Sequence, residues 1–110
     1  MDSKKAKLRT IAHARSGDKG SDVNIGVIAT SEENYSILER SLTSETMKSL
    51  FKTVCVGDVI RYELPNLLAL NFLLKGALGK SGGSASLRSD SQGKAFAEVL
   101  LDMEIVLRNF

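Results

Sequence analysis

In the segment Val23-Asn24-Ile25-Gly26-Val27-Ile28-Ala29, the residues Val23, Ile25, Val27 and Ala29 occupy every second position. That is the period of a β-strand with one buried face; a helix would scatter the four around its axis. Two further segments repeat the pattern. In Val59 to Leu64, Ile60, Tyr62 and Leu64 alternate with Arg61 and Glu63, which assigns the apolar three to the core and the charges to solvent. In Asp102 to Arg108, Met103, Ile105 and Leu107 oppose Asp102, Glu104 and Arg108. Lys7 to Ala14 alternates less regularly and reads as a first strand, joined to Val23–Ala29 by a wide polar loop from Arg15 to Asp22.

Helical signals fill the intervals. Thr30-Ser31-Glu32-Glu33 has capping-box spacing between Thr30 and Glu33, followed by Tyr35, Leu38 and Leu42 at helical intervals. Thr43-Ser44-Glu45 offers a second helix start, ahead of Met47, Leu50, Phe51 and Val54. Pro65 suits a first helical turn, so Leu67 to Lys75 reads as a helix that is apolar almost all round. Such a helix needs cover on more than one side, and in a chain of 110 residues a second subunit supplies it. A homo-oligomer is expected. Ser91 to Leu101 is a last helix. Few strands with helices grouped between them indicate an α+β two-layer sandwich, ferredoxin-like, with helices on one face of a mainly antiparallel sheet. No repeat or linker divides the chain, so residues 1–110 form a single domain, with 1–6 as a flexible lead-in.

Composition removes several function classes. Fifteen Lys and Arg against 13 Asp and Glu are scattered without a basic stripe, and aromatics make up 5%, so nucleic acid is not an expected partner. One cysteine and one histidine cannot build an ordinary zinc site or an internal disulfide, and no metal or other cofactor is expected. Cys55, between Val54 and Val56, reads as a buried thiol. Met1 to Ala6 lacks an apolar signal region, and the run Leu67 to Leu74, broken by Asn71, is too short to span a bilayer. A cytoplasmic protein with no membrane contact is expected.

The chemistry is sought in two glycine-rich segments. In Arg15-Ser16-Gly17-Asp18-Lys19-Gly20-Ser21-Asp22, Gly17 and Gly20 can take positive φ and turn backbone N–H groups into an anion nest, with Arg15 and Lys19 adding charge. The preceding His13 is the side chain suited to proton transfer near neutrality, with Asp18 or Asp22 to orient it. A solvated hairpin loop explains the same residues without a ligand. From Gly76 to Gly93 five glycines are interleaved with five serines. Gly82 and Gly83 can offer backbone donors there, and Arg88 a bidentate partner for carboxylate or phosphate; the alternative is a plain connector. Asn71 needs a partner if buried. Gly-Asp-Lys-Gly-Ser lacks Walker A spacing, and a loop leading into a strand does not suit a dinucleotide fingerprint.

The segments Ile11 to Gly20 and Val23 to Ala29 also carry a family likeness. So do Arg61-Tyr62-Glu63-Leu64-Pro65-Asn66-Leu67, Ala69-Leu70-Asn71-Phe72, and Ser86-Leu87-Arg88 with Asp90, Gln92, Gly93 and Lys94. Together they resemble the C-terminal domain of the acyclic terpene utilisation (AtuA) proteins, which also occurs as a stand-alone small protein. The likeness runs from about Leu8 to about Ile105. It implies a ferredoxin-like fold and a link to the catabolism of branched or terpenoid acyl groups, beside acyl-CoA carboxylase systems. The large N-terminal domain of the longer members has no counterpart here, so an activity carried by that domain does not transfer.

Three functions follow from these readings. The first is an accessory binding domain for an anionic metabolite such as a CoA thioester, associated with a larger AtuA-type or acyl-CoA-processing protein. In it Arg15, Lys19 and Arg88 supply charge, Ser16, Gly17, Gly20, Gly82 and Gly83 supply donors, and Asn24 and Asn71 orient the ligand. The second is a small lyase or hydratase using His13 and Asp18. The third is a purely structural oligomerisation module.

Overall fold

The computed structural model describes residues 3–52, 57–77 and 90–109. Its elements, in chain order, are β1 (Ser3–Lys7), β2 (Ala12–Lys19), β3 (Asp22–Ala29), α1 (Glu32–Ser41), α2 (Ser44–Leu50), β4 (Val59–Leu64), β5 (Ala69–Leu74), α3 (Asp90–Leu101) and β6 (Glu104–Asn109). Four strands form an antiparallel sheet in the order β2-β3-β5-β4, and β1 pairs with β6 in a separate antiparallel ribbon. This is the expected α+β architecture, with the helices packed on one face of the main sheet.

The core lies between that face and the helices. Val23, Ile25 and Val27 of β3 and Leu70, Phe72 and Leu74 of β5 are fully buried, in one cluster with Leu38, Leu42, Met47, Phe51, Phe96 and Leu100. The Phe51 and Phe96 rings lie 5.1 Å apart, a favourable tilted pair. Both leading helices are capped by hydroxyls. Ser31 Oγ accepts from the Asn34 N–H at 3.1 Å, and Thr43 Oγ1 accepts from the Thr46 N–H at 3.1 Å. The first cap is therefore Ser31 and not Thr30. Thr30 Oγ1 donates to the Ile11 carbonyl and accepts from Asn34 Nδ2, tying the helix entrance to the residue that precedes β2.

Four sequence expectations are corrected. Leu67 to Lys75 is not a helix. The helical turn begun at Pro65 stops at Leu68, whose φ of 56° is left-handed, and the chain reverses into β5. Ala69 and Leu73 stand on the face opposite Leu70, Phe72 and Leu74, so the strand is largely apolar on both faces, which hides its period of two and imitates an all-round apolar helix. With a strand there, no all-round apolar helix calls for a second subunit to cover it. Arg15 to Lys19 is not a loop either: β2 and β3 form one long hairpin closed by the two residues Gly20 and Ser21, with φ 68° at Gly20, a glycine-first turn. Gly17 has no positive φ and no nest forms around it. The lead-in is not loose, since Ser3 to Ala6 lies in β1, paired to β6.

The fourth correction concerns β4, whose facing is inverted. Ile60, Tyr62 and Leu64 are 38%, 48% and 42% exposed, while Arg61 turns to the helix side. Its Nη1 donates to the carbonyls of Glu39 at 2.8 Å and Leu42 at 2.9 Å, where α1 ends with unsatisfied acceptors. Cys55, Val54, Gly82, Gly83 and Arg88 lie outside the described residues. No described helix is long and apolar enough to cross a membrane.

Candidate functional site

The face of the main sheet turned away from the helices gathers His13, Arg15, Gly17, Asn24 and Asn71 from among the residues singled out from the sequence. Antiparallel partners share a face, so the registers place Arg15, Gly26, Asn71 and Tyr62 in one row across all four strands. The neighbouring rows are His13, Ile28, Ala69 and Leu64 on one side, and Gly17, Asn24, Leu73 and Ile60 on the other. At about 4.8 Å per strand the central row is about 14 Å wide. Its polar end is the exposed Arg15, beside exposed His13, and its far end is apolar, with Ile60, Tyr62 and Leu64. Ile28 is 51% exposed between them.

Gly26 gives the row its floor. A Cβ added there would come 3.7 Å from Asn71 Oδ1 and meet nothing closer, so the Asn71 amide stands beside a strip of bare backbone. Glycine inside a strand costs stability and marks a place where a ligand can approach the main chain. Asn24, one row along, has a buried Oδ1 with no hydrogen-bond partner among the described residues. An acceptor left in that state costs about 1–3 kcal/mol.

The remaining predicted residues lie either on the helix side or far from His13 and Arg15 along the sheet. Ser16 is on the helix side, where its Oγ accepts from the Ala97 N–H at 2.8 Å and helps seat α3 on β2. Asp18 pairs with Val23, whose side chain is in the core, so Asp18 belongs to the helix side and cannot orient His13 across the sheet. Asp22 shares the face but lies six strand residues from Ile28, the partner of His13, about 20 Å away at ~3.3 Å per residue. It is already engaged, accepting from the Gly76 N–H at 2.8 Å and from Lys75 Nζ at 3.1 Å. Lys19 and Gly20 are at the hairpin tip, Lys19 opposite Asp22. The acid–base pairing of His13 with Asp18 or Asp22 is thus not formed.

Those contacts give Asp22 a pH signature. The Gly76 N–H first, and then Lys75, favour the ionised carboxylate, so its pKa lies below the ordinary value. A carboxylate depressed in the folded state contributes stability above its unfolded pKa, about 3.9, and loses it as pH falls through the folded value. Asp22→Asn is expected to cost about 1.5 kcal/mol at pH 7, the lower end for hydrogen bonds to a charged acceptor. In urea unfolding at a series of pH values the gap to the native chain should close below about pH 4; a constant gap would show that the charge of Asp22 is irrelevant.

Gly26 and Tyr62 were not singled out from the sequence as site residues. Tyr62 was concealed by the inverted facing of β4, and Gly26 is conspicuous only once the register places it between Arg15 and Asn71. A glycine at a non-core position of a regular strand was the one signal available.

Residues 6–106 match the family model of the AtuA ferredoxin-like domain, which is nearly the whole chain. No curated protein and no solved structure gives a match.

Proposed function

This chain belongs to the AtuA ferredoxin-like domain family, and from that premise we propose that its open sheet face binds an anionic acyl metabolite of the CoA-thioester class. The row Arg15–Gly26–Asn71–Tyr62 carries the reading. It runs from a guanidinium, over bare backbone and an amide, to a half-exposed aromatic ring flanked by Ile60 and Leu64. A ligand with a charged end and a branched apolar end has the same polarity. Arg15 meets the phosphate or carboxylate, Asn71 and Asn24 meet the amide or thioester groups, and the β4 side chains take the acyl branch.

The role is binding and not catalysis, because His13 has no carboxylate partner among the described residues of its face. We assign the domain to the cytoplasm as an accessory unit in branched or terpenoid acyl-group catabolism, beside a larger acyl-CoA-processing protein. Isothermal titration with free CoA, a straight-chain acyl-CoA and a branched acyl-CoA tests the ligand class. The branched thioester should bind most tightly, and Arg15→Glu should weaken it at least tenfold, about 1.4 kcal/mol. Absence of heat and of thermal stabilisation with every thioester at millimolar concentration would refute it.

A further inference from the structure

The two edges of the main sheet are not alike. The β2 edge carries His13 and Arg15, with α3 packed on its helix side through Ser16. Charged side chains are an ordinary way to keep a strand edge from pairing with another chain, and β2 carries Arg15, Asp18 and Lys19. The β4 edge carries fewer. It is six residues long, Val-Ile-Arg-Tyr-Glu-Leu, with no proline inside it, one positive and one negative charge, and three half-exposed apolar residues, of which Ile60 and Tyr62 have high β-propensity. No described strand pairs with its outer side.

We propose that β4 pairs antiparallel with β4 of a second copy of this chain, joining two four-stranded sheets into one of eight. The register follows from charge. In a two-fold antiparallel pair the sheet faces match only when the axis passes through a residue. An axis through Arg61 sets the two Arg61 side chains opposite each other, and one through Glu63 does the same with two carboxylates. An axis through Tyr62 is different. It sets each Arg61 opposite the partner copy's glutamate and each Ile60 opposite the partner copy's leucine, with the two tyrosine rings at the centre.

The charges are also already poised. Arg61 Nη2 and Glu63 Oε2 are 2.7 Å apart within one chain, and Glu63 is still half exposed, leaving it able to accept from a second guanidinium. Cross-strand partners have Cβ atoms about 5 Å apart, so the dimer closes a ring of four alternating charges on the helix side. On the opposite side it sets the two open faces edge to edge, with apolar residues at the join. This second-copy reading does not rest on the ligand proposed above, and the two fail separately.

Sedimentation equilibrium from 1 to 200 µM, with backbone hydrogen exchange at both ends of the range, is the test. The native chain should be a dimer at high concentration, and exchange should slow with concentration in β4 but not in β2. Glu63→Lys should raise the dimer dissociation constant at least tenfold while leaving the circular dichroism unchanged. Arg61→Glu should raise it as well, at a cost in stability because the Glu39 and Leu42 carbonyls lose their donor, and an equimolar mixture of the two variants should form a heterodimer, because each then faces opposite charges. Should Arg61→Glu not fold, the native chain and Glu63→Lys decide between them. A native chain monomeric at 200 µM, or a dimer that Glu63→Lys leaves intact, would overturn the proposal.

Discussion

Phe72→Ala is expected to destabilise the domain by about 3–5 kcal/mol, the range for truncating a buried phenylalanine to a methyl group. Phe72 is fully buried on β5, in register with Ile25 of β3 on one side and Arg61 of β4 on the other. The cavity would open under the middle of the sheet, where Leu70 and Leu74 occupy the same face and cannot collapse into it without bending β5. A domain of this size has only about 5–15 kcal/mol to lose, so the variant should sit near its unfolding transition at room temperature. Leu73→Ala, one residue along and on the open face, should cost much less, because Leu73 is only partly buried. Urea unfolding followed by circular dichroism measures both. Equal costs at positions 72 and 73 would contradict the two-faced strand.

The second large effect is on binding with the fold preserved. Gly26→Leu places a branched side chain on the backbone floor between Arg15 and Asn71, in the row assigned to the ligand. The fold tolerates it, since the first added carbon meets only Asn71 Oδ1 at 3.7 Å, an ordinary contact, and a strand gains by losing a glycine. The melting temperature should therefore stay within a few degrees or rise. Acyl-CoA affinity should fall by a factor on the order of 100, because the obstruction removes the central contacts and not one hydrogen bond. Gly26→Ala should lie between the native chain and the leucine variant. Undiminished affinity in Gly26→Leu would move the ligand off this face altogether.

The helices were legible because their signals are local. A hydroxyl cap, an acidic first turn and apolar residues three and four apart are all set within a dozen residues, as α1 and α2 show. The strand β5 was not legible, since Ala69, Asn71 and Leu73 face the open side while Leu70, Phe72 and Leu74 face the core, and both sets are largely apolar. Length arbitrates: Leu67 to Leu74, eight positions of which seven are apolar, is short for a buried helix and ordinary for a strand. The site was half legible. The sequence marks Arg15 and Gly17 as loop residues, Asn71 as helical and His13 and Asn24 as strand residues, and all five lie on one sheet face. Ser16 and Asp18 were picked out with them and belong to the other, because adjacent strand residues point opposite ways.

By itself the sequence determined the class of fold, the family, the three helices and the strand β3, whose alternation admits one inner face. Tertiary structure decided which way β4 faces. Period two separates Ile60, Tyr62 and Leu64 from Arg61 and Glu63 but does not say which set is inside. The carbonyls of Glu39 and Leu42 at the end of α1 settle that by needing a donor that Arg61 supplies. Hydrophobicity alone would have buried the apolar three. The unsatisfied helix end outweighs it and leaves them on the open face.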